Sequence, residues 1–401
     1  MFLVGDQLNI FAPSPPLPCF LKLIQCHFSL IPLSVSVPFF DLKKQYQSLQ
    51  AEIAPALEKF LPQQAFILGP TVESFEKEMA SYCQAPFALG VSSGTDALLM
   101  ALEALEIGPG DEVIVPAFTF YCTASVVTRR GATPIFVDVD LHDYNILPAA
   151  IEAAITSRTK AIIPVHLFGQ IVQIDAIQKI AIKHSLPIIE DSAQGIGAEY
   201  KGKRAGSFGR FGAFSFFPTK NLGAFGDGGA LTFASVHDQE HCKILRMHGS
   251  RIRYQHEEIG GCFRLDALQA LVLEIKLRHL EKWQEKRRQN AAFYNQALQE
   301  IGDLILPVEN PNCRHVYHQY VIRTTKREAL KVHLTCLGIG SEVYYPIPVP
   351  HQKSMEYLGH RYGDFPHSEQ LSEEVLALPI FPELEPSQLE ETVKGIQSFF
   401  L

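Results

Sequence analysis

Lys220 lies between an aromatic, apolar run, Gly212-Ala-Phe-Ser-Phe-Phe217, and a glycine-rich stretch, Gly223-Ala-Phe-Gly-Asp-Gly-Gly229. The run reads as a buried strand, and the glycines read as a loop where backbone approaches a ligand closely. An amine between them is poorly placed for a solvated surface role. A partly buried lysine is suited to trapping a carbonyl group as a Schiff base. Taken alone, such a lysine could equally snorkel to water, so the reading depends on what other residues stand with it.

Three other segments supply chemistry that fits. Ser92-Ser-Gly-Thr-Asp96 places Gly94 and Thr95 at the opening of a helix, where free N–H groups and a hydroxyl make a phosphate cradle. The same residue types also serve as an ordinary N-cap. Glu190-Asp191-Ser-Ala-Gln194 ends a strand with a carboxylate that could pair with a protonated pyridine nitrogen, although a helix cap or ion pair would account for Asp191 by itself. Pro116-Ala-Phe-Thr-Phe-Tyr121 offers Phe120 to stack on a planar ring, or simply to fill the core. Ser215, on the strand that leads to Lys220, adds a second phosphate hydroxyl. Cradle, aromatic, carboxylate and amine in one order are the parts of a pyridoxal phosphate site.

The elements that must position these residues are short apolar runs alternating with helical segments from about Pro86 to Phe233. The runs are 87–91, 112–116, 134–138, 161–165, 187–190, 212–217 and 229–233. Such runs, separated by helices at 95–105, 148–154 and 174–183, predict an α/β fold whose seven-stranded, mostly parallel sheet is covered on both faces. Ligands then gather beyond the carboxyl ends of the strands. Residues 265–290 predict one long helix. A smaller α+β C-terminal domain follows, with strands near 317–323 and 342–345. The expected division is 1–37 as an extension outside the fold, 38–285 as the large ligand-binding domain, and 286–401 as the small domain.

Composition narrows the class. Lys and Arg number 35 against 43 Asp and Glu, a net charge of −8 with no basic stripe, which argues against nucleic acid as a partner. Eight scattered cysteines without a C-x-x-C pair suit reduced thiols in the cytoplasm, and no metal site is expected. Cys313, His315 and His318 are close in sequence but fall in a strand-like run. The apolar part of the first 37 residues is broken by prolines and carries Lys22 and His27, so no membrane span is expected. Asp6 ahead of it argues against a signal peptide.

Ser93-Gly-Thr-Asp-Ala97, Gly108-Pro-Gly-Asp-Glu-Val-Ile-Val-Pro116, Pro164-Val-His-Leu-Phe-Gly-Gln170, Glu190-Asp-Ser-Ala-Gln194, Phe214-Ser-Phe-Phe-Pro-Thr-Lys-Asn-Leu222, Gly226-Asp-Gly-Gly229 and Arg264-Leu-Asp-Ala-Leu-Gln-Ala270 together resemble nucleotide-sugar aminotransferases of the DegT/StrS type. The likeness runs from about Val37 to the C-terminus. It implies the aspartate-aminotransferase-like fold (fold type I), pyridoxal 5′-phosphate as cofactor, and a homodimer with shared active sites.

Carried onto this chain, the resemblance makes Lys220 the Schiff-base lysine and general acid/base, with Asp191 on the pyridine nitrogen. Gln194 would meet the phenolic oxygen, Phe120 would stack on the ring, and Gly94, Thr95 and Ser215 would hold the phosphate. Dehydratase relatives have histidine at the Lys220 position, so the lysine implies transamination. Where the family usually has an asparagine that reaches the partner subunit's phosphate, this chain has Cys262, a poorer donor. Arg264, Tyr344 and Tyr345 are the expected substrate contacts, although the two tyrosines could also be an ordinary strand pair.

Asp41-Leu-Lys-Lys-Gln45, Phe66-Ile-Leu-Gly-Pro70 and Glu342-Val-Tyr-Tyr-Pro-Ile-Pro348 are most similar to members acting on 3-oxo sugars, including UDP-linked 3-oxo-glucuronates, with 4-oxo sugars left open. L-Glutamate is the implied donor, and an amino sugar for a surface polysaccharide or glycosylated metabolite the implied product. A pyridoxal-phosphate-binding regulatory or sensory protein without turnover is the alternative.

Overall fold

The computed structural model describes residues 36–400. The expected extension therefore lies outside the described residues except for Ser36 and Val37. Both donate their N–H groups to Gly338 O, at 3.1 and 3.2 Å, and Val37 is fully buried beside Ile339.

Among the described residues, nine strands precede residue 234: β1 (Phe87–Val91), β2 (Glu112–Pro116), β3 (Thr133–Val137), β4 (Thr159–Ile162), β5 (Ile189–Asp191), the hairpin β6 (Glu199–Tyr200) and β7 (Lys203–Arg204), β8 (Phe211–Ser215) and β9 (Gly229–Phe233). Seven of them form the central layer in the order β1-β9-β8-β5-β4-β2-β3. The join between β5 and β4 is carried by Ile162 N to Pro187 O at 3.1 Å, Asp191 N to Pro164 O at 2.9 Å and His166 N to Asp191 O at 3.0 Å. β9 runs antiparallel to both β1 and β8, and the other neighbours are parallel.

The helices are α1 (Leu42–Phe60), α2 (Pro70–Tyr82), α3 (Gly94–Ala104), α4 (Cys122–Arg129), α5 (Pro148–Ala154), α6 (Ile174–His184), α7 (Val236–Leu245), α8 (Ala267–Leu277), α9 (Leu280–Ala297), α10 (Arg327–Cys336), α11 (Pro366–Glu374) and α12 (Pro386–Phe400). The helix expected over 265–290 is thus two helices, broken at Arg278–His279. Apolar spacing runs through the break because Leu277 and Leu280 are both buried, so periodicity alone does not reveal it.

Beyond residue 245 come a small hairpin, β10 (Ser250–Ile252) and β11 (Gln255–His256), and β12 (Cys313–Arg314), which joins β6. The antiparallel pair β13 (Tyr320–Arg323) and β14 (Val375–Leu378) follows. The strand expected near 342–345 is reduced to one bridge, Glu342 with Ala377. Pro346 and Pro348 remove ladder donors immediately afterwards.

β5 shows how the sheet assigns roles. Side chains alternate between faces along a strand. Glu190, fully buried, turns away from Asp191 and accepts from Gly206 N at 2.8 Å, Phe208 N at 2.7 Å and Gly209 N at 2.7 Å. His166 completes the set at 2.9 Å. Val172 N–H approaches His166 Nδ1 at 3.4 Å, which leaves the ring proton on Nε2 for Glu190. This carboxylate fixes the turn that leads into β8 and hence to Lys220. Glu190→Ala strips the acceptor from three backbone donors, each costing ~1–3 kcal/mol when buried unmet. Chemical denaturation of that variant is expected to show a loss of about 3 kcal/mol or more, with Glu190→Gln losing less. An unchanged midpoint for Glu190→Ala would mean the turn is held by other contacts.

Candidate active site

The carboxyl ends of β1, β2, β5 and β8 open on one cavity of about 370 Å³. Gly94, Thr95, Phe120, Asp191, Gln194, Ser215, Lys220, Tyr344 and Tyr345 all line it. Arg264 does not. Asp191 and Lys220 come together because β5 and β8 are adjacent parallel strands, with Asp191 opposite Ala213.

At one end stands the start of α3. Ser93 Oγ caps Asp96 N at 3.0 Å, and Ala97 N reaches Ser93 O at 3.0 Å. The N–H groups of Gly94 and Thr95 are left without a protein acceptor among the described residues. A Cβ on Gly94 would come within 2.7 Å of Ser215 Cβ, so glycine is what lets the helix start approach the Ser215 hydroxyl. Free N–H groups, the positive end of a helix and adjacent hydroxyls suit an anion.

Asp191 is only 3% exposed. Its Oδ2 accepts from the buried Thr123 hydroxyl at 2.8 Å and its Oδ1 from Ala193 N at 3.2 Å. Thr119, 3.2 Å from Thr123, extends the chain of hydroxyls. Burial pushes the Asp191 carboxyl above its usual range, against the pull of these donors and of Lys220. Lys220 meets the cavity but is closely surrounded, and desolvation lowers its ammonium below the usual lysine value while Asp191 opposes the shift. Its side chain makes no ion pair within 4 Å among the described residues.

The lysine sits on a tight loop. Lys220 N bonds Phe217 O at 2.8 Å, and Ala224 N returns to Phe216 O at 2.8 Å. Next to the lysine, Asn221 pairs with the buried His318 at 3.2 Å and donates to Val316 O at 3.2 Å. Across the cavity, Gln194 Nε2 donates to Tyr345 Oη at 3.0 Å while its Oε1 accepts from Phe168 N at 2.7 Å. Phe120, 54% exposed, lies 6.1 Å from the Tyr345 ring at 44°. The Cys122 thiol also borders the cavity, but burial pushes it up to about 12, which leaves it unreactive.

Thr123, His318 and Cys122 carry no role in the sequence reading. The only advance signal for Thr123 is its i, i+4 spacing from Thr119 at the start of α4. Arg264 Nη2 donates instead to Cys262 Sγ at 2.8 Å, and the segment is tied to Val91 and Ser92 by backbone contacts at the outer edge of β1. Among the described residues no three metal-ligating side chains cluster, and no helix is long and apolar enough to cross a membrane. Cys313 reaches only Ile171 O, and His315 Nδ1 accepts from Tyr317 N.

The depressed lysine has a consequence for stability. Unfolded lysine titrates near ~10.4. The folded amine is best tolerated neutral, so its contribution is fully present above that value and is lost as pH falls through the lower folded value. Urea midpoints of the cofactor-free protein should therefore rise from pH 7 towards pH 10 relative to those of Lys220→Met. Parallel curves for the two proteins would show that Lys220 is not desolvated.

The DegT/DnrJ/EryC1/StrS aminotransferase family matches residues 47–397. The chain is 46% identical over 356 residues to the UDP-N-acetyl-3-dehydro-alpha-D-glucosamine 3-aminotransferase of Acidithiobacillus ferrooxidans, covering 89% of this chain and 96% of that one. It is 45% identical over 368 residues to a pleiotropic regulatory protein of Geobacillus stearothermophilus, covering 91% and 99%. The crystal structure of S. venezuelae DesV in complex with a ketimine intermediate matches with a TM-score of 0.89 at 42% identity, covering 90% and 98%. Solved neighbours of this fold hold pyridoxal phosphate or its pyridoxamine form. With a fold type I sheet and Lys220 on the loop that follows β8, the chain belongs to the DegT/DnrJ/EryC1/StrS family of aminotransferases, whose cofactor is pyridoxal 5′-phosphate.

Proposed function

We propose that this aminotransferase moves an amino group from L-glutamate to a keto nucleotide-sugar, with a UDP-linked 3-oxo sugar as acceptor. The observation that carries the reading is the convergence of Lys220, Asp191 and the free N–H groups of Gly94 and Thr95 on one cavity. The choice of sugar follows the 3-dehydro substrate named for the A. ferrooxidans relative.

The residues fit the cofactor. The cradle between Gly94 and Ser215, which a Cβ at Gly94 would fill, suits the phosphate, and Asp191 suits the ring nitrogen. When bound, pyridoxal phosphate supplies an electron-accepting ring that eases loss of a proton from the donor Cα. Desolvation of Lys220 raises the fraction of neutral amine, the form that bonds a carbonyl and then carries a proton at that carbon. Thr123 and Ala193 hold the Asp191 carboxylate towards the ring-nitrogen position. Phe120 would cover one ring face. Gln194 would reach the cofactor's phenolic oxygen, and Tyr345, its hydrogen-bond partner, would border the sugar with Tyr344.

Arg264 and Cys262, outside this cavity, would serve the partner subunit's site in a cytoplasmic homodimer. The division at residues 285/286 would separate cofactor binding from a smaller C-terminal unit. The product would feed a surface polysaccharide or a glycosylated metabolite. The alternative of a regulatory protein without turnover draws on the name of the G. stearothermophilus relative. Simple binding has no use for a desolvated amine aimed at the cofactor.

Visible spectra separate the two readings. The purified protein with pyridoxal phosphate should show the band of lysine-bound cofactor. L-Glutamate should convert it to the pyridoxamine form, and Lys220→Ala should lack the band, with turnover down ~10²–10⁴-fold. A bound cofactor that glutamate leaves unchanged would sink the glutamate reading. Failure of other amino donors as well would favour regulation. A hydrogen bond to a charged group is worth ~1.5–3 kcal/mol. Thr123→Val should accordingly lower kcat about 10- to 100-fold with KM for the sugar little changed. An unaltered kcat would show that Asp191 needs no hydroxyl partner.

A further inference from the structure

The loop that presents Lys220 is poor in side chains that could fix its own shape. Gly223, Gly226 and Gly228 follow within eight residues. Gly223 lies so close to Pro218 O that a Cβ would sit 2.2 Å from that oxygen, and Gly226 has φ +148°. Glycines confer this freedom at an entropic cost, so beyond the Lys220 and Ala224 backbone bonds and the Asn221 contacts, residues 223–228 depend on contacts from outside.

α8 supplies two outside contacts. Lys276, 1% exposed, donates from Nζ to Gly223 O at 2.5 Å and lies 5.1 Å from the Phe225 ring centroid. Gln269, seven residues earlier and so two turns along the same face, holds the loop two residues further on, at Phe225. Its Oε1 accepts from Phe225 N at 2.8 Å and its Nε2 donates to Phe225 O at 3.1 Å. Leu273, between them, is fully buried.

The ammonium of Lys276 makes no carboxylate contact within 4 Å among the described residues. Among the described residues, Glu383 is the acid that acts on it, from a greater distance. Burial of an unpaired cation is expensive, and it draws Lys276 down to about 8. A methionine would occupy the same space at lower cost to the fold. What Lys276 adds is a charge-assisted hold on a single carbonyl three residues beyond Lys220.

We propose that Gln269 and Lys276 form a clamp that positions the Lys220 loop, making both residues positioning residues for the amine. The proposal rests on the reading of Lys220 as the reacting amine. The clamp itself is tested first without cofactor or substrate. Hydrogen exchange of the 217–226 amides is measured in the cofactor-free full-length protein, in Lys276→Met, Lys276→Arg and Gln269→Leu, together with each denaturation midpoint.

Release of the clamp should speed exchange in this segment at least ~10-fold. The Lys276→Met midpoint should stay level or rise. In the loaded enzyme the single-turnover rate with L-glutamate should fall ~10- to 100-fold with KM little changed, as expected when a reacting group is misplaced by an ångström or less. Lys276→Arg should recover part of both effects. Unchanged exchange in 217–226 in both Lys276→Met and Gln269→Leu overturns the clamp. So does a rate loss matched by an equal fall in global stability, which would mark a purely structural role. Faster loop exchange in a protein that never reacts with any amino donor would leave the clamp standing and remove the catalytic reading of Lys220 instead.

Discussion

Desolvation of two groups of opposite charge is the constraint around which this structure is arranged. Asp191 and Lys220 each lie where burial disfavours the ionised form, and each eases the other's ionisation. Such a pair is tolerable only if its geometry is held firmly, because a wandering buried charge is costly. Asp191 is therefore fixed through its backbone on both sides. Its N–H and C=O join the 164–166 segment, and Ser192 N bonds Ala213 O at 2.8 Å on the β8 side. The sheet order, with β5 next to β8, sets the carboxylate and the lysine loop at one edge. A ligand that offered Asp191 a proton donor and Lys220 a carbonyl would relieve both penalties at once.

The same constraint explains which parts of the site were legible in the sequence. The apolar runs that became β1, β2, β8 and β9 are buried on both faces, and such strands leave near-continuous hydrophobic signatures. The antiparallel direction of β9 has no such signature, because direction depends on how Lys220–Gly228 turns back, and a glycine loop does not encode that in its pattern. Gly94, Thr95, Asp191 and Ser215 were legible because each stands at a strand end or a helix start, whereas His318, which lines the same cavity, carried no such signal. Thr123 was not legible, because a hydroxyl inside an amphipathic helix looks like any other small polar residue until the carboxylate opposite is known. The break between α8 and α9 was hidden for the converse reason. Leu277 and Leu280 keep the helical spacing while the backbone turns, so tertiary packing decides the boundary.

Cys262 changes the chemistry of the outer edge without touching this cavity. An asparagine would offer an amide donor there, whereas the thiol accepts from Arg264 Nη2. Arg264 is held against β1 by its bridge to Val91, beside Ser92 and the α3 start. Its Nε is buried without a partner among the described residues. The thiol therefore engages the Arg264 guanidinium.

The adjacent carboxylates of β5 give the clearest case of geometry assigning function. Glu190 and Asp191 are chemically near-identical and equally buried, and sequence type cannot rank them. An ionised carboxylate has about four acceptor positions. Glu190 receives four donors, from Gly206, Phe208, Gly209 and His166, and has nothing left for a ligand. Asp191 receives two, from Thr123 and Ala193, and its remaining capacity faces the cavity. Strand alternation sends these adjacent residues to opposite faces, and the count of filled lone pairs separates a carboxylate that holds a turn from one with acceptor positions open to the cavity.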